Sequence, residues 1–121
     1  MDSEWNDGQP IHRQLRDRLV SLLLDGVVKE GEALPSVRMV AAEYRLNPLT
    51  VMKGFQHLVD ENLIEVRRGI GMFVLIGARD RLRHDERRRF LTEEWPRIHD
   101  TIERLGLSAE HLLHKKHEEK E

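Results

Sequence analysis

Cysteine is absent from all 121 residues, which excludes disulfides and thiolate metal sites and fits a cytoplasmic protein. Long apolar runs are absent too. Nothing approaches the ~20 residues of a membrane span, so no membrane partner is expected. The acidic opening Met-Asp-Ser-Glu-Trp-Asn-Asp reverses a secretory signal's basic and then apolar start. Serine is sparse (Ser3, Ser21, Ser36, Ser108), and two of these stand where helix caps are wanted. No nucleophile motif, P-loop, dinucleotide-binding glycine fingerprint or metalloprotease pattern occurs. The sequence therefore nominates no catalytic residue, no cofactor and no enzyme. Histidine is plentiful at seven copies, but His12, His57, His84 and His99 are scattered. His111, His114 and His117 recur every three residues, a face that drifts by roughly 60° per step on a helix. An exposed tail explains them, and no metal site is expected.

Net positive charge is also missing. The formal value of -2 is awkward for a nucleic-acid partner, whose footprint is basic. From Pro35 to Leu75, however, five cations (Arg38, Arg45, Lys53, Arg67, Arg68) face four anions (Glu43, Asp60, Glu61, Glu65). The cations fall at the front of each candidate DNA-facing element, so sorting by face can rescue such a reading. It also implies modest affinity from one subunit and a need for a dimer.

What the chain does have is helix punctuation. Hydrophobic residues at 39% support a compact but small core, and charged residues at 35% imply solvent-facing helices. Met1 to Gln9 reads as a frayed leader. Pro10 suits a first helical turn, Ile11, Leu15, Leu19, Leu22, Leu23 and Val27 recur at helical spacing, and Gly26 supplies a stop, giving a helix from about Pro10 to Asp25. Ala33-Leu34 reads as a very short strand. Ser36 caps a second helix with Val37, Val40, Ala41 and Tyr44 on one face. After a turn at Arg45-Leu46, Asn47 caps a third helix with Pro48 at its first position. There Val51, Phe55, Leu58 and Val59 face the core, and Leu49, Met52, Lys53 and Gln56 face outward. Leu63 to Arg67 and Met72 to Ile76 alternate as strands joined across Arg68-Gly69-Ile70-Gly71.

Past Gly77 the composition changes. The arginine block from Arg79 to Arg89 reads as a salt-bridged solvated helix, since Asp80, Asp85 and Glu86 lie at pairing distances. Leu91, Trp95, Ile98, Ile102 and Leu105 then form a heptad seam about two repeats long, suited to a dimer helix. Pro96 should kink or restart that helix, with Thr92 available as a cap. Gly106 ends it. Ser108 caps a last helix from Ala109 to about His117 that buries Leu112 and Leu113. The fold class expected is α+β, mainly helical: a winged helix-turn-helix domain over 10–77, after the 1–9 leader, with a two-helix dimerisation appendage over 78–121.

Two short capped helices followed by a hairpin match what places one helix in a DNA groove with a turn beside it. Ser36 and Arg38 then lie against the phosphate backbone, where Arg38 can reach a phosphate or a guanine edge. On the third helix Lys53 and Gln56 are either ordinary surface polarity or readers of base edges. Leu49 and Met52 await either a packing partner or thymine methyl groups. Arg68 beside Gly69 permits close approach at the hairpin tip.

These residues resemble the GntR family of bacterial transcription regulators. The resemblance is carried by Gly31, Leu34, Pro35, Ser36, Arg38, Asn47, Thr50, Val51, Gly69, Gly71, Phe73 and Val74, with Pro-Ile-His-Arg-Gln-Leu at Pro10 to Leu15. It covers about Pro10 to Ile76 and adds Asn47, Thr50 and Arg67 to the DNA-facing set. The short appendage and its Leu-Gly-Leu-Ser at Leu105 to Ser108 are similar to the YtrA subfamily, in which the appendage chiefly dimerises the protein. Leu49, Ile70 and Met72 replace polar or charged groups of that subfamily's pattern, which implies an altered operator. The resemblance implies a homodimeric repressor on double-stranded DNA with a palindromic operator, often of its own transporter operon. The alternative is a winged-helix protein-interaction module without DNA specificity. Any small-molecule effector would bind at the dimer interface or between winged domain and appendage.

Overall fold

Helix α1 (Ile11–Leu24) begins where Pro10, fixed in an extended conformation, offers its carbonyl to the N–H groups of Arg13 and Gln14. Leu15, Leu19, Val20 and Leu23 share one face and are buried. The helix stops where Gly26 takes a positive φ of 75°; a side chain there is strained, so glycine marks the end. Val27 lies beyond the helix and is exposed. The computed structural model describes residues 5–115, so Met1 to Glu4 of the expected leader and His117 of the expected last helix lie outside the described residues.

From Trp5 onward the leader is not frayed. The Trp5 ring meets Tyr44 edge-on at 5.5 Å between centroids, and the Arg18 guanidinium lies 4.0 Å over the Trp5 ring. The Gln14 amide accepts from the Asn6 N–H at 2.7 Å and donates to the Asn6 and Gln9 carbonyls. An aromatic ring covered by a cation, with its backbone satisfied by one amide, offsets the entropy of ordering the segment.

Ser36 caps α2 (Val37–Tyr44), its side chain accepting from the Met39 N–H at 3.1 Å. Arg45 ends it in the left-handed region at φ 56°. Two residues on, the Asn47 side chain accepts from Leu49 N–H at 2.8 Å and opens α3 (Pro48–Asp60), with Pro48 in the first turn. Val51, Phe55 and Leu58 are buried as the periodicity requires, and so is Gly54. A Cβ on Gly54 would stand 2.9 Å from Leu15 Cδ2 and 3.3 Å from the His12 carbonyl oxygen. Gly54 is therefore what lets α1 and α3 cross so closely.

Strands β1 (Ile64–Arg67) and β2 (Gly71–Val74) pair antiparallel, with Ile64 opposite Val74 and Arg67 opposite Gly71. The expected second strand, Met72 to Ile76, is displaced toward the turn. Gly77 turns at φ 88°, the Leu75 N–H bonds back to the Leu63 carbonyl, and Ile76 is left exposed. The short segment at Ala33 pairs with Phe73 on the other edge of β2, with Leu34 N–H to Met72 O at 2.8 Å.

Helix α4 (Ala78–Arg89) buries Ala78 and Leu82 in the same core. Its first arginines are not the solvated, salt-bridged block expected. Arg79 donates to the Leu24 carbonyl at 2.9 and 3.1 Å, and Arg81 donates to the Asn62 carbonyl. Both satisfy carbonyls left over at the ends of other helices. The exposed Glu30 carboxylate accepts from Arg79 N–H at 3.1 Å; hydrogen bonds from the Gly77 and Arg79 backbone hold its pKa below the usual carboxylate value. The later arginines do pair as expected, Arg88 with Asp85 at 3.7 Å and Arg89 with Glu86 at 3.1 Å. One compact unit runs to Arg83 and a second starts at His84, inside α4 rather than at Gly77, because Ala78 and Leu82 belong to the first core.

In the second unit Pro96 is accommodated without a break. Residues Phe90–Glu94 widen into a π-helical turn, with Trp95 N–H reaching the Phe90 carbonyl, and Pro96 falls in the first turn of α5 (Trp95–Arg104). A proline ring crowds the carbonyl four residues back, and a widened turn is the usual relief. Thr92 does not cap a restart; its hydroxyl donates to the Arg88 carbonyl at 2.9 Å. Gly106, at φ 69°, ends α5, and Ser108 caps α6 (Ala109–Leu113). Helix α6 ends at Leu113 rather than near His117, with His114 as its C-cap. Leu112 and Leu113 are not buried within the chain: Leu112 is half-buried and Leu113 is 86% exposed. A helix this short has no stripe long enough to cover both.

Candidate nucleic-acid interface

The capping geometry decides which side chains α2 and α3 present. With Val40 and Tyr44 inward, Arg38 projects from the first turn of α2 into solvent, beside exposed Ser36. With Val51, Phe55 and Leu58 inward, the outer face of α3 carries Leu49 at 66% exposure, Met52 at 54%, Lys53 and Gln56. Asn47 is exposed but its side-chain oxygen is committed to the cap, and Thr50 is half-buried. Gln56 is tied along the helix, its amide donating to Asp60 at 2.8 Å.

The hairpin tip lies on the same side. Ile70 N–H closes the turn on the Arg67 carbonyl at 2.9 Å, Gly69 sits at φ 77°, and Ile70 is 74% exposed. Arg67 is not a free tip cation: it pairs with Glu65 at 2.9 Å and stacks over Phe73 at 4.1 Å. Arg68 is exposed and carries no such bond. Met52, Gln56, Arg67, Arg68 and Gly69 line one cleft. Ser36, Arg38, Asn47, Leu49, Thr50 and Lys53 are not among its lining residues.

The structure resolves the charge problem by partner rather than by amount. Glu61 is held by Arg16 and Glu65 by Arg67, while Asp60 takes the Gln56 amide. The side chains of Arg38, Arg45, Lys53 and Arg68 carry no hydrogen bond or ion pair among the described residues. Over 35–75 this leaves four unengaged cations against two carboxylates that no cation pairs among the described residues, Glu43 and Asp60.

Two internal features had no signal in the sequence. His12 Nδ1 and His57 Nε2 lie 3.0 Å apart with rings stacked at 5.1 Å, bridging α1 and α3 just beside Gly54. Burial lowers the His12 pKa from its ordinary value, and the charges of His57, Lys53 and Arg13 lower it further. Arg16, buried, forks onto Glu61 and reaches Asp17 at 2.9 Å, and the hydrogen bond to Glu61 is the main reason its guanidinium is held still more firmly protonated. Neither pair follows a periodicity, since each joins residues 45 positions apart.

No helix among the described residues is long and apolar enough to cross a membrane. Known proteins of similar sequence and shape include transcriptional regulators. The chain is 30% identical over 119 residues to the HTH-type transcriptional regulator YhcF of Bacillus subtilis, covering 93% of this chain and 92% of that one. It is 38% identical over 73 residues to the HTH-type transcriptional repressor YtrA of the same organism, covering 60% of this chain and 56% of that one. A transcriptional regulator from Oenococcus oeni superposes with a TM-score of 0.70 at 27% identity, over 90% of this chain and 89% of that one. The family profile described as "Bacterial regulatory proteins, gntR family" matches residues 11–74. With its winged helix and its outward-facing α3, the chain belongs to the GntR family of DNA-binding transcriptional regulators.

Proposed function

We propose that the protein is a homodimeric repressor whose two winged domains occupy successive major grooves of a palindromic operator and block promoter access. Helix α3 enters the groove, with Leu49 and Met52 meeting thymine methyls and Lys53 and Gln56 meeting polar edges or phosphate. Ser36, Arg38, Asn47 and Thr50 fix the domain on the backbone, and the Arg68-Gly69 tip reaches the neighbouring groove. The observation that carries the DNA arm is the set of unpartnered cations Arg38, Arg45, Lys53 and Arg68.

The dimer arm is supported by α5. None of its residues is buried, although Trp95, Ile98, Ile102 and Leu105 repeat on one face with Leu91 before them. An amphipathic helix covers such a face with another apolar surface, and a second copy of this helix supplies a matching one, with Leu112 and Leu113 of α6 added. The repressor arm is supported by the relative YtrA, a transcriptional repressor.

Footprinting on the DNA upstream of the gene, with sedimentation of the free protein, tests this reading. Two protected half-sites about one helical turn apart and a dimeric sedimentation coefficient are expected. If each unpartnered cation of both protomers meets a phosphate, log K should fall against log salt with a slope of roughly -7. A strictly monomeric protein, or binding indifferent to salt, overturns the reading.

A further inference from the structure

Helix α3 and the hairpin do not close on each other. Between them runs a cleft of about 550 Å³ whose wall is aliphatic, built from Val37, Met52, Val66, Ile70 and Met72, with Arg68 at its rim. That volume falls in the ~300–1,000 Å³ range of small-molecule sites. On the reading proposed above, α3 lies in a major groove and the tip touches the next minor groove, so a DNA strand passing between them presents sugar and phosphate to the cleft. Phosphate is met by N–H donors and cations. Among the cleft's side chains only Arg68 is free to do so, because Arg67 is already engaged by Glu65 and Phe73 and the Gln56 amide already donates to Asp60. Val66 and Ile70 are 62% and 74% exposed, more apolar surface than a phosphodiester strand can use.

We propose that the cleft binds a small amphipathic organic anion, its alkyl or aryl body along Met52, Val66, Ile70 and Met72 and its carboxylate or sulfonate on Arg68. Met52, Arg68 and Gly69 belong both to this cleft and to the proposed DNA surface, so occupant and operator exclude each other. The inference rests on the DNA-binding reading for its regulatory half and on the cleft alone for its binding half. It places an effector in the winged domain itself, not at the dimer interface or beside the appendage.

Decanoate is a suitable probe, with decylammonium as the same tail bearing the opposite charge, titrated into the full chain with labelled methyl groups. Saturable shifts at the Met52, Val66, Ile70 and Met72 methyls are expected with decanoate and not with decylammonium. Arg68→Gln should weaken decanoate roughly ten-fold, and Val66→Thr, which keeps a β-branched strand residue, several-fold. At decanoate ten times its Kd, each occupied cleft costs about ten-fold by mass action, so a dimer that needs both clefts empty should lose roughly a hundred-fold in operator affinity. Shifts confined to α5, equal binding of decylammonium, or no saturable shift overturns the site. Unchanged operator affinity with the cleft saturated overturns the exclusion. A chain that binds no DNA even without decanoate overturns the function proposed above together with the exclusion, while the methyl shifts still decide the site.

Discussion

Glu61 and Glu65 each sit against an arginine, and Asp60 holds an amide, so the carboxylates nearest α3 are spoken for while Arg38, Arg45, Lys53 and Arg68 are not. This distribution was only half legible in the sequence. The forward position of the cations along each element is readable by counting, but the pairing of Arg16 with Glu61 depends on how α1 crosses α3. Arg38→Ala is expected to weaken operator binding about uniformly across sequences and to reduce the salt slope by about 1 per protomer, as loss of a phosphate contact requires, with an unshifted thermal melt because the exposed side chain makes no hydrogen bond or ion pair among the described residues; titration and circular dichroism check both. The His12–His57 pair gives a second expectation. His12 is held below its ordinary 6.5, first by loss of hydration and then by His57, Lys53 and Arg13. The unfolded chain therefore takes up a proton there at higher pH than the folded chain. Stability should fall as pH drops below about 6.5 and level off once the folded-state value is passed. Urea midpoints across that range should show the decline, and His12→Gln should flatten it. An equal decline in the variant would assign it to another group.

Elements were more legible than residues because caps are local chemistry. Ser36, Asn47 with Pro48, Gly26, Gly106 and Ser108 each act within a few residues of themselves, and each marks the helix end that the sequence indicates. What escaped were ends set from a distance or by strain. Strand β2 ends at Val74 because Gly77 turns the chain; the Trp5 segment is ordered by Tyr44 and Arg18; Pro96 is absorbed by the π turn at Phe90–Glu94. Gly54 is the sharpest case: Val51 and Leu58 place it on the buried face, but their spacing gives no hint that α1 crosses there too closely for a Cβ. Gly54→Ala should gain about 1 kcal/mol of helix propensity and lose ~1–3 kcal/mol to crowding against Leu15 and the His12 carbonyl. A net loss of about 1 kcal/mol is expected in urea denaturation. A stabilised variant would show that α1 can move aside freely.

At the scale of the whole molecule, the winged domain encloses its own core, whereas none of the described residues of α5 and α6 is buried. The heptad spacing was plain in the sequence; its partner was not, because one chain carries no record of a second. Trp95→Ala removes the largest apolar side chain of that face and should raise the dissociation constant of the proposed dimer by at least ten-fold, about 1.4 kcal/mol. Sedimentation equilibrium measures it, and an unaltered constant would move the interface elsewhere. The hairpin has its own exposed boundary. Strand β2 is flanked by β1 on one side and by the Ala33 segment on the other, which leaves β1 as the margin of the sheet. An unpaired margin invites stacking of one chain on the next, and natural sheets deter it with charge. Glu65 and Arg67, joined to each other along β1, put one charge of each sign there, so the feature that withholds Arg67 from the wing tip also supplies the edge with the kind of charge that deters fibril-like stacking.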